Sequence, residues 1–185
     1  MKSTVIGLVL AAAAVVSPSN WRVGQGDVRV ICPMTIGGSF EAKTAALSGS
    51  VIAGANGSPT LDGSLAVDLR TLDTGIGLRN EHLREKYLEV NNGTGFDTAT
   101  LSAIELTGLS PIAPDGKGTF TGLLTVHGVT KVVSGTVDVR RAIEHLRVKA
   151  SFRLDVSDYG IAPPRYLGIG VTNTVQVEVA FDVSR

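Results

Sequence analysis

The groups whose types could support chemistry are three histidines, one cysteine and a short basic run, Arg79-Asn80-Glu81-His82-Leu83-Arg84. The run offers two guanidinium groups and an imidazole, which can donate hydrogen bonds to a quinone, alcohol or phosphate oxygen. Covalent or metal-assisted chemistry needs a nucleophile beside a base, or several ligands at short spacing. His82, His127 and His145 lie far apart without ligand spacing, no G-x-S-x-G is found, and no carboxylate pair is signalled. The pattern therefore predicts a binding protein, not an enzyme, with no metal and no cofactor of its own. Each of these residues also has a structural use. Asp73, Arg79, His82 and Arg84 can fix a loop to the body of the fold through hydrogen bonds and ion pairs. His127, before Gly128 at a strand end, reads as a turn residue. Cys32 cannot form an internal disulfide and reads as a small buried side chain on a strand.

The elements that must position this run are mostly strands. Over residues 60–70, Leu61, Gly63, Leu65, Val67 and Leu69 alternate with polar residues, the period-2 pattern of a half-buried strand. Residues 146–156 repeat it without exception, with Leu146, Val148, Ala150, Phe152, Leu154 and Val156 on one face. Val175, Val177, Val179, Phe181 and Val183 do so near the C-terminus. Shorter strands are expected at 28–32, 47–53, 100–106, 119–126 and 131–140, separated by turn clusters at 54–59, 111–118 and His127-Gly128. The exception is a helix predicted over about 79–87, in which Leu83 and Tyr87 share a face and Thr74 or Asn80 serves as cap. At two to three turns it cannot stand alone in water and must dock on another element. Some eight one-faced strands must stack as a sandwich or close into a barrel, and closure also removes exposed edges.

Composition narrows the classes further. Lys plus Arg and Asp plus Glu number 17 each, so no net field attracts nucleic acid or an anionic membrane. Aromatics are 5% of residues, too few for the girdles of an outer-membrane barrel, whose polar face would also have to point inward. Met1-Lys2, an apolar run over 5–16 and Ser17-Pro18-Ser19 read as a secretory signal peptide over 1–19, cleaved after Ala14 or Ser19. The apolar run falls short of the ~20 residues of a spanning helix. Residues 20–185 are then one domain in the periplasm or outside the cell, large enough for a full core.

Three segments resemble a known family. Leu72-Asp73-Thr74, four variable residues and Arg79-Asn80-Glu81-His82-Leu83-Arg84 resemble the signature of the YceI-like proteins, periplasmic lipocalin-like binders of polyisoprenoids. The stretch from Leu123 through Val126-His127-Gly128 to Lys131 is similar to that family's most recurrent strand and turn. Asp158-Tyr159-Gly160-Ile161 falls at the expected spacing. Two places depart: the opening reads Gly26-Asp27-Val28-Arg29-Val30-Ile31-Cys32-Pro33, and Asn91-Asn92-Gly93-Thr94-Gly95 replaces an aromatic-Pro pair, which bears on the shape of the entrance.

The resemblance implies an all-β fold, an extended eight-stranded antiparallel barrel with one short helix near its mouth. It also implies a tunnel for a long-chain isoprenoid lipid or quinone, and a homodimer, although no residue pattern marks an interface. Small inward side chains leave room for a slender ligand. Burying hydrocarbon contributes about 0.8 kcal/mol per methylene without direction, so headgroup contacts and tunnel length must discriminate. The expected wall is Leu65, Val67, Leu69, Leu124, Val126, Ala150, Phe152, Leu154, Val175, Val177, Val179 and Phe181. At the mouth, Leu83 and Tyr87 dock the helix, while Arg79 and His82 are the headgroup candidates. The alternative is a stress-related structural or interaction barrel whose core is filled and which holds no lipid.

Overall fold

The computed structural model describes residues 20–54, 58–110, 113–166 and 169–184. The expected signal peptide lies outside them. Strand β1 (Asn20–Pro33) is followed by β2 (Ser39–Thr44), β3 (Leu47–Ala53), β4 (Thr60–Asp68), β5 (Thr98–Thr107), β6 (Gly116–Val126), β7 (Val129–Arg141) and β8 (Leu146–Asp155). A two-residue hairpin, β9 (Arg165–Tyr166) with β10 (Ile169–Gly170), precedes the last strand, β11 (Thr174–Ser184).

From β3 to β8 each strand pairs antiparallel with the next, and β11 pairs with β8. The sheet closes because β1 pairs with β11, Val28 opposite Val179 and Val30 opposite Val177. On its other edge β1 is shared, pairing with β3 through Asn20, Trp21 and Arg22 and with β2 from Val28 onward. β2 and β3 thus act as one bent strand, and the result is the expected eight-stranded antiparallel barrel. Closure leaves no long edge for aggregation.

The wall follows from alternation. Along β6, Phe120, Gly122, Leu124 and Val126 point inward between exposed or half-exposed neighbours; along β11, Val175, Val177, Phe181 and Val183 do the same. Irregularities bend the strands where closure requires it, as between Ser102 and Glu105 on β5, where Ala103 takes a φ of +48°. Strand β1 runs well beyond the predicted 28–32. Strand β2 went unpredicted although Phe40, Ala42 and Thr44 alternate with Ser39, Glu41 and Lys43.

After β4 the chain leaves the wall and crosses one end of the barrel. One 3-10 turn (Leu69–Thr71) is capped by the Asp68 carboxylate, which accepts from the Arg70 amide at 3.0 Å. Helix α1 (Gly77–Glu81) continues without a break into a wider π turn (His82–Tyr87), and a last 3-10 turn (Val90–Asn92) leads to β5. The predicted helix is present but its winding changes midway: the Leu88 amide bonds the Leu83 carbonyl five residues back at 2.9 Å. Neither expected cap serves as one, since Ile76 precedes α1 with no side-chain hydrogen bond to its amides. Thr74 and Asn80 bond each other instead. Among the described residues no helix is long and apolar enough to cross a membrane.

Candidate ligand cavity

Inside the barrel lies a cavity of about 300 Å³. No charged side chain is among the described residues that line it, and of those residues only Trp21, Tyr87 and Cys32 have a polar atom in the side chain. The expected wall residues all face it: Leu65, Val67, Leu69, Leu124, Val126, Ala150, Phe152, Leu154, Val175, Val177, Val179 and Phe181. Their common orientation is the period of 2 carried around a closed sheet. Across its middle, Phe120 and Phe152 meet edge to face with ring centroids 5.9 Å apart. Gly135, on the strand between them, makes this contact possible. A Cβ there would lie 2.8 Å from the Phe120 ring and 2.3 Å from the Ser151 carbonyl oxygen.

The segment 72–92 roofs one end, and Leu72, Leu83, Tyr87 and Leu88 reach the cavity from it. The other side of the same end is closed by Val156, Ile161, Pro164 and Val171. Polar bonds hold the roof in place. Asp73 pairs with Lys43 of β2 through both backbone groups at 2.8 Å, while its carboxylate accepts from the Gly75 amide at 2.9 Å and the Asn80 amide at 2.6 Å. Those two bonds, the Gly75 amide first, hold the Asp73 carboxyl below the usual 3.8. The Asn80 side-chain oxygen accepts from both the amide and the hydroxyl of Thr74 at 2.7 Å. Arg84 donates two bonds, of 3.0 and 2.6 Å, to the carbonyl of buried Leu72.

His127 ties three segments together. Its Nδ1 lies 3.0 Å from the Tyr159 carbonyl and so donates to it, its Nε2 faces the Glu89 carboxylate at 3.3 Å, and its ring stands edge to face with Phe96 at 4.6 Å. The turn residue expected at the end of β6 is therefore also the clamp between the roof and the segment before β9. Both Glu89 and His127 adopt left-handed backbone, at φ of +50° and +52°. Tyr159 is 2% exposed, and its hydroxyl has no hydrogen-bond partner among the described residues. Burial, with help from Asp158, raises its pKa.

Two candidates for headgroup contact are not brought to the cavity. His82 is exposed, because it is the helix neighbour of Leu83, which faces inward, and so stands on a different side of the helix. Arg79 lies nearer but does not line the space: its guanidinium sits 4.5 Å over the ring of Phe40, whose side chain does. Cys32 is buried as expected and adds to the lining beside Phe40. Burial pushes its thiol up to about 11, with Arg79 pulling weakly the other way. Sequence reasoning missed Trp21, Phe40, Ile104 and Phe120 as lining residues. Alternation on β2 and β6 would have identified Phe40 and Phe120; Trp21 lies just past the apolar N-terminal run, where no strand was expected. His145 lies on the outside at the opposite end, 3.9 Å from Asp182, and no group of three metal-binding side chains occurs among the described residues.

A family model for the YceI-like domain matches residues 15–183. Among solved structures, the fold is similar to a polyisoprenoid binding domain from Saccharophagus degradans implicated in plant cell wall breakdown, with 18% identity over 89% of this chain and 97% of that one and a TM-score of 0.67. It is similar also to Burkholderia cenocepacia BcnA, at 16% identity over 85% and 95% of the two chains and a TM-score of 0.68. A Campylobacter jejuni YCEI protein matches at 12% identity over 98% and 93%, with a TM-score of 0.56. No curated protein matches the chain.

Proposed function

From the premise that the chain belongs to the YceI-like family, we propose that it binds one long-chain amphiphilic lipid, a polyisoprenoid or isoprenoid quinone, inside the barrel and sequesters or carries it. The observation that carries this reading is the cavity itself, bounded by aliphatic and aromatic side chains with no charge among its described lining. Such a lining favours hydrocarbon and offers an ionised group nothing, so a charged or strongly polar head must stay at an end. The roof is the end with the means to hold it. Tyr87 is part of the lining there, and Arg79 stacks on Phe40, whose side chain also lines the cavity. His82 is left as a surface residue in this reading. The structural neighbour from Saccharophagus degradans, described as a polyisoprenoid binding domain, supports the ligand class by analogy of fold.

The same reading makes the protein a carrier or store without catalysis, exported by the N-terminal segment to the periplasm or the medium. It has one domain and needs no metal or cofactor. Protein purified from its native host and extracted with organic solvent should release about one equivalent of prenyl lipid by mass spectrometry. Val126 is 9% exposed and faces the cavity beneath the roof, so Val126→Trp should fill the passage and abolish lipid recovery while leaving the barrel folded. A lipid-free extract from the parent protein would sink the proposal in favour of a barrel that serves structure or interaction alone.

A further inference from the structure

We propose that the roofed end of the barrel docks directly on the surface of an electrically neutral bilayer, resting on the lipid-binding reading of the cavity it surrounds. Four large aliphatic side chains stand exposed on three segments at this end: Ile36 at 65% in the β1–β2 turn, Ile76 at 49% and Leu78 at 64% at the start of α1, and Ile169 at 43% on β10. At the opposite end, the described loops expose one, Ile143. Isolated apolar residues on a surface are ordinary, but four gathered around the end of an apolar cavity are a patch.

The geometry favours a membrane over a protein partner. The patch is a set of separate tips instead of one flat face. Gly37, Gly38, Gly75 and Gly77 have nothing within 4 Å of where a Cβ would sit, so the turn and the start of α1 stand clear of the body. The three segments are nevertheless braced as one rim. Arg79 of α1 lies over Phe40 beside the turn, and Thr35 exchanges two hydrogen bonds with Gly170, its amide donating at 2.8 Å and its hydroxyl accepting at 3.0 Å. Separate aliphatic tips on a braced rim suit shallow insertion among lipid headgroups, where each contributes by its own buried area. Charge sets the kind of bilayer. Residues 34–38 carry no charge, Arg79, Arg84 and Lys86 are balanced by Glu81, Glu85 and Glu89 over residues 77–89, and Arg165 before β10 stands against Asp158, so the rim carries no excess of basic groups to select an anionic surface. Docked this way, the roofed end would open toward the acyl chains, and a lipid could pass between bilayer and barrel without crossing water.

The test is flotation of the full-length mature protein with phosphatidylcholine vesicles at physiological salt. The parent should float with the vesicles. Ile36→Asp and Leu78→Asp should each weaken association by about tenfold, and the pair more, with thermal midpoints unchanged because both residues are exposed. Val126→Trp should float like the parent while yielding no lipid, which separates docking from filling. Vesicle binding by a parent protein whose extract holds no lipid supports docking and removes the carrier reading alone. A parent that does not float, that floats only with anionic vesicles, or whose double variant floats equally well overturns the proposal.

Discussion

Wall and roof meet at Leu69, and on the two sides of that residue the chain is held by different forces. Toward β4 the alternate side chains Leu61, Leu65 and Val67 line the barrel, and the backbone pairs with β3 over residues 61–67 and with β5 on both sides of a bulge at Asp62 and Gly63. Toward the roof, Leu72, Leu88 and Val90 are buried and Leu83 and Tyr87 half-buried, and position is fixed as well by side chains bonded to backbone: Asp73 to Gly75, Asn80 to Thr74, Arg84 to Leu72. Ladder bonds and apolar area form a cooperative unit that opens only with the whole barrel. A roof held by a few polar contacts can detach locally at much lower cost. A cavity that must admit a ligand requires that inequality.

The contrast can be broken hardest from the wall side. Phe120→Ala removes a ring that is 4% exposed and packed on Phe152, and should cost about 3–5 kcal/mol of global stability in urea unfolding. If the loss is confined to the roof, wall and roof are not separate units. Arg84→Ala leaves the carbonyl of buried Leu72 without its two donors and should cost about 1–3 kcal/mol. Hydrogen exchange should speed up at 72–88 well before it does in β6 to β8. Arg84→Lys should not restore protection, because an ammonium cannot place two N–H groups on that oxygen as the guanidinium does.

Acid should separate the regions more gently. The Asp73 carboxyl is held below its ordinary 3.8, so its contribution is present above that pH and is lost as pH falls through the lowered value. Exchange at the roof should therefore rise below about pH 3.8 while the wall stays protected, and Asp73→Asn should show part of that loosening at neutral pH. The smallest effect is expected at Tyr159→Phe. It removes a buried hydroxyl that has no partner among the described residues, so the melting temperature should stay level or rise slightly. A clear drop would mean that the hydroxyl bonds in solution.

The same division decided what the sequence disclosed. Period 2 is written residue by residue in β8 and β11, and from it follow the barrel and the wall from Leu65 to Phe181. The roof has no such period. Its residues could be recognised as a recurring motif, but a motif does not say which way a side chain points. Arg79 and His82 are expected as donors to a ligand, yet most of the bonding in the motif falls to the side chains of Asp73, Asn80 and Arg84, which tie the roof to itself, while the Asp73 backbone joins it to β2. His127 likewise looked local, because its partners Glu89 and Tyr159 are more than thirty residues away in sequence.

The seam between β1 and β11 carries a consequence for how the molecule comes into being. Val28 pairs with Val179, so the ring closes through residues at nearly opposite ends of the chain. The hairpins from β3 to β8 can zip between near neighbours, but the first strand has no lasting partner on that side until the last has arrived. Folding should be slow for a domain of this size and limited by one long-range event. While it is pending, β1 and β8 each present a bare edge flanked by apolar side chains. The protein is then most exposed to pairing with another copy of itself, and a chaperone that covers strand edges would give the most help at that stage.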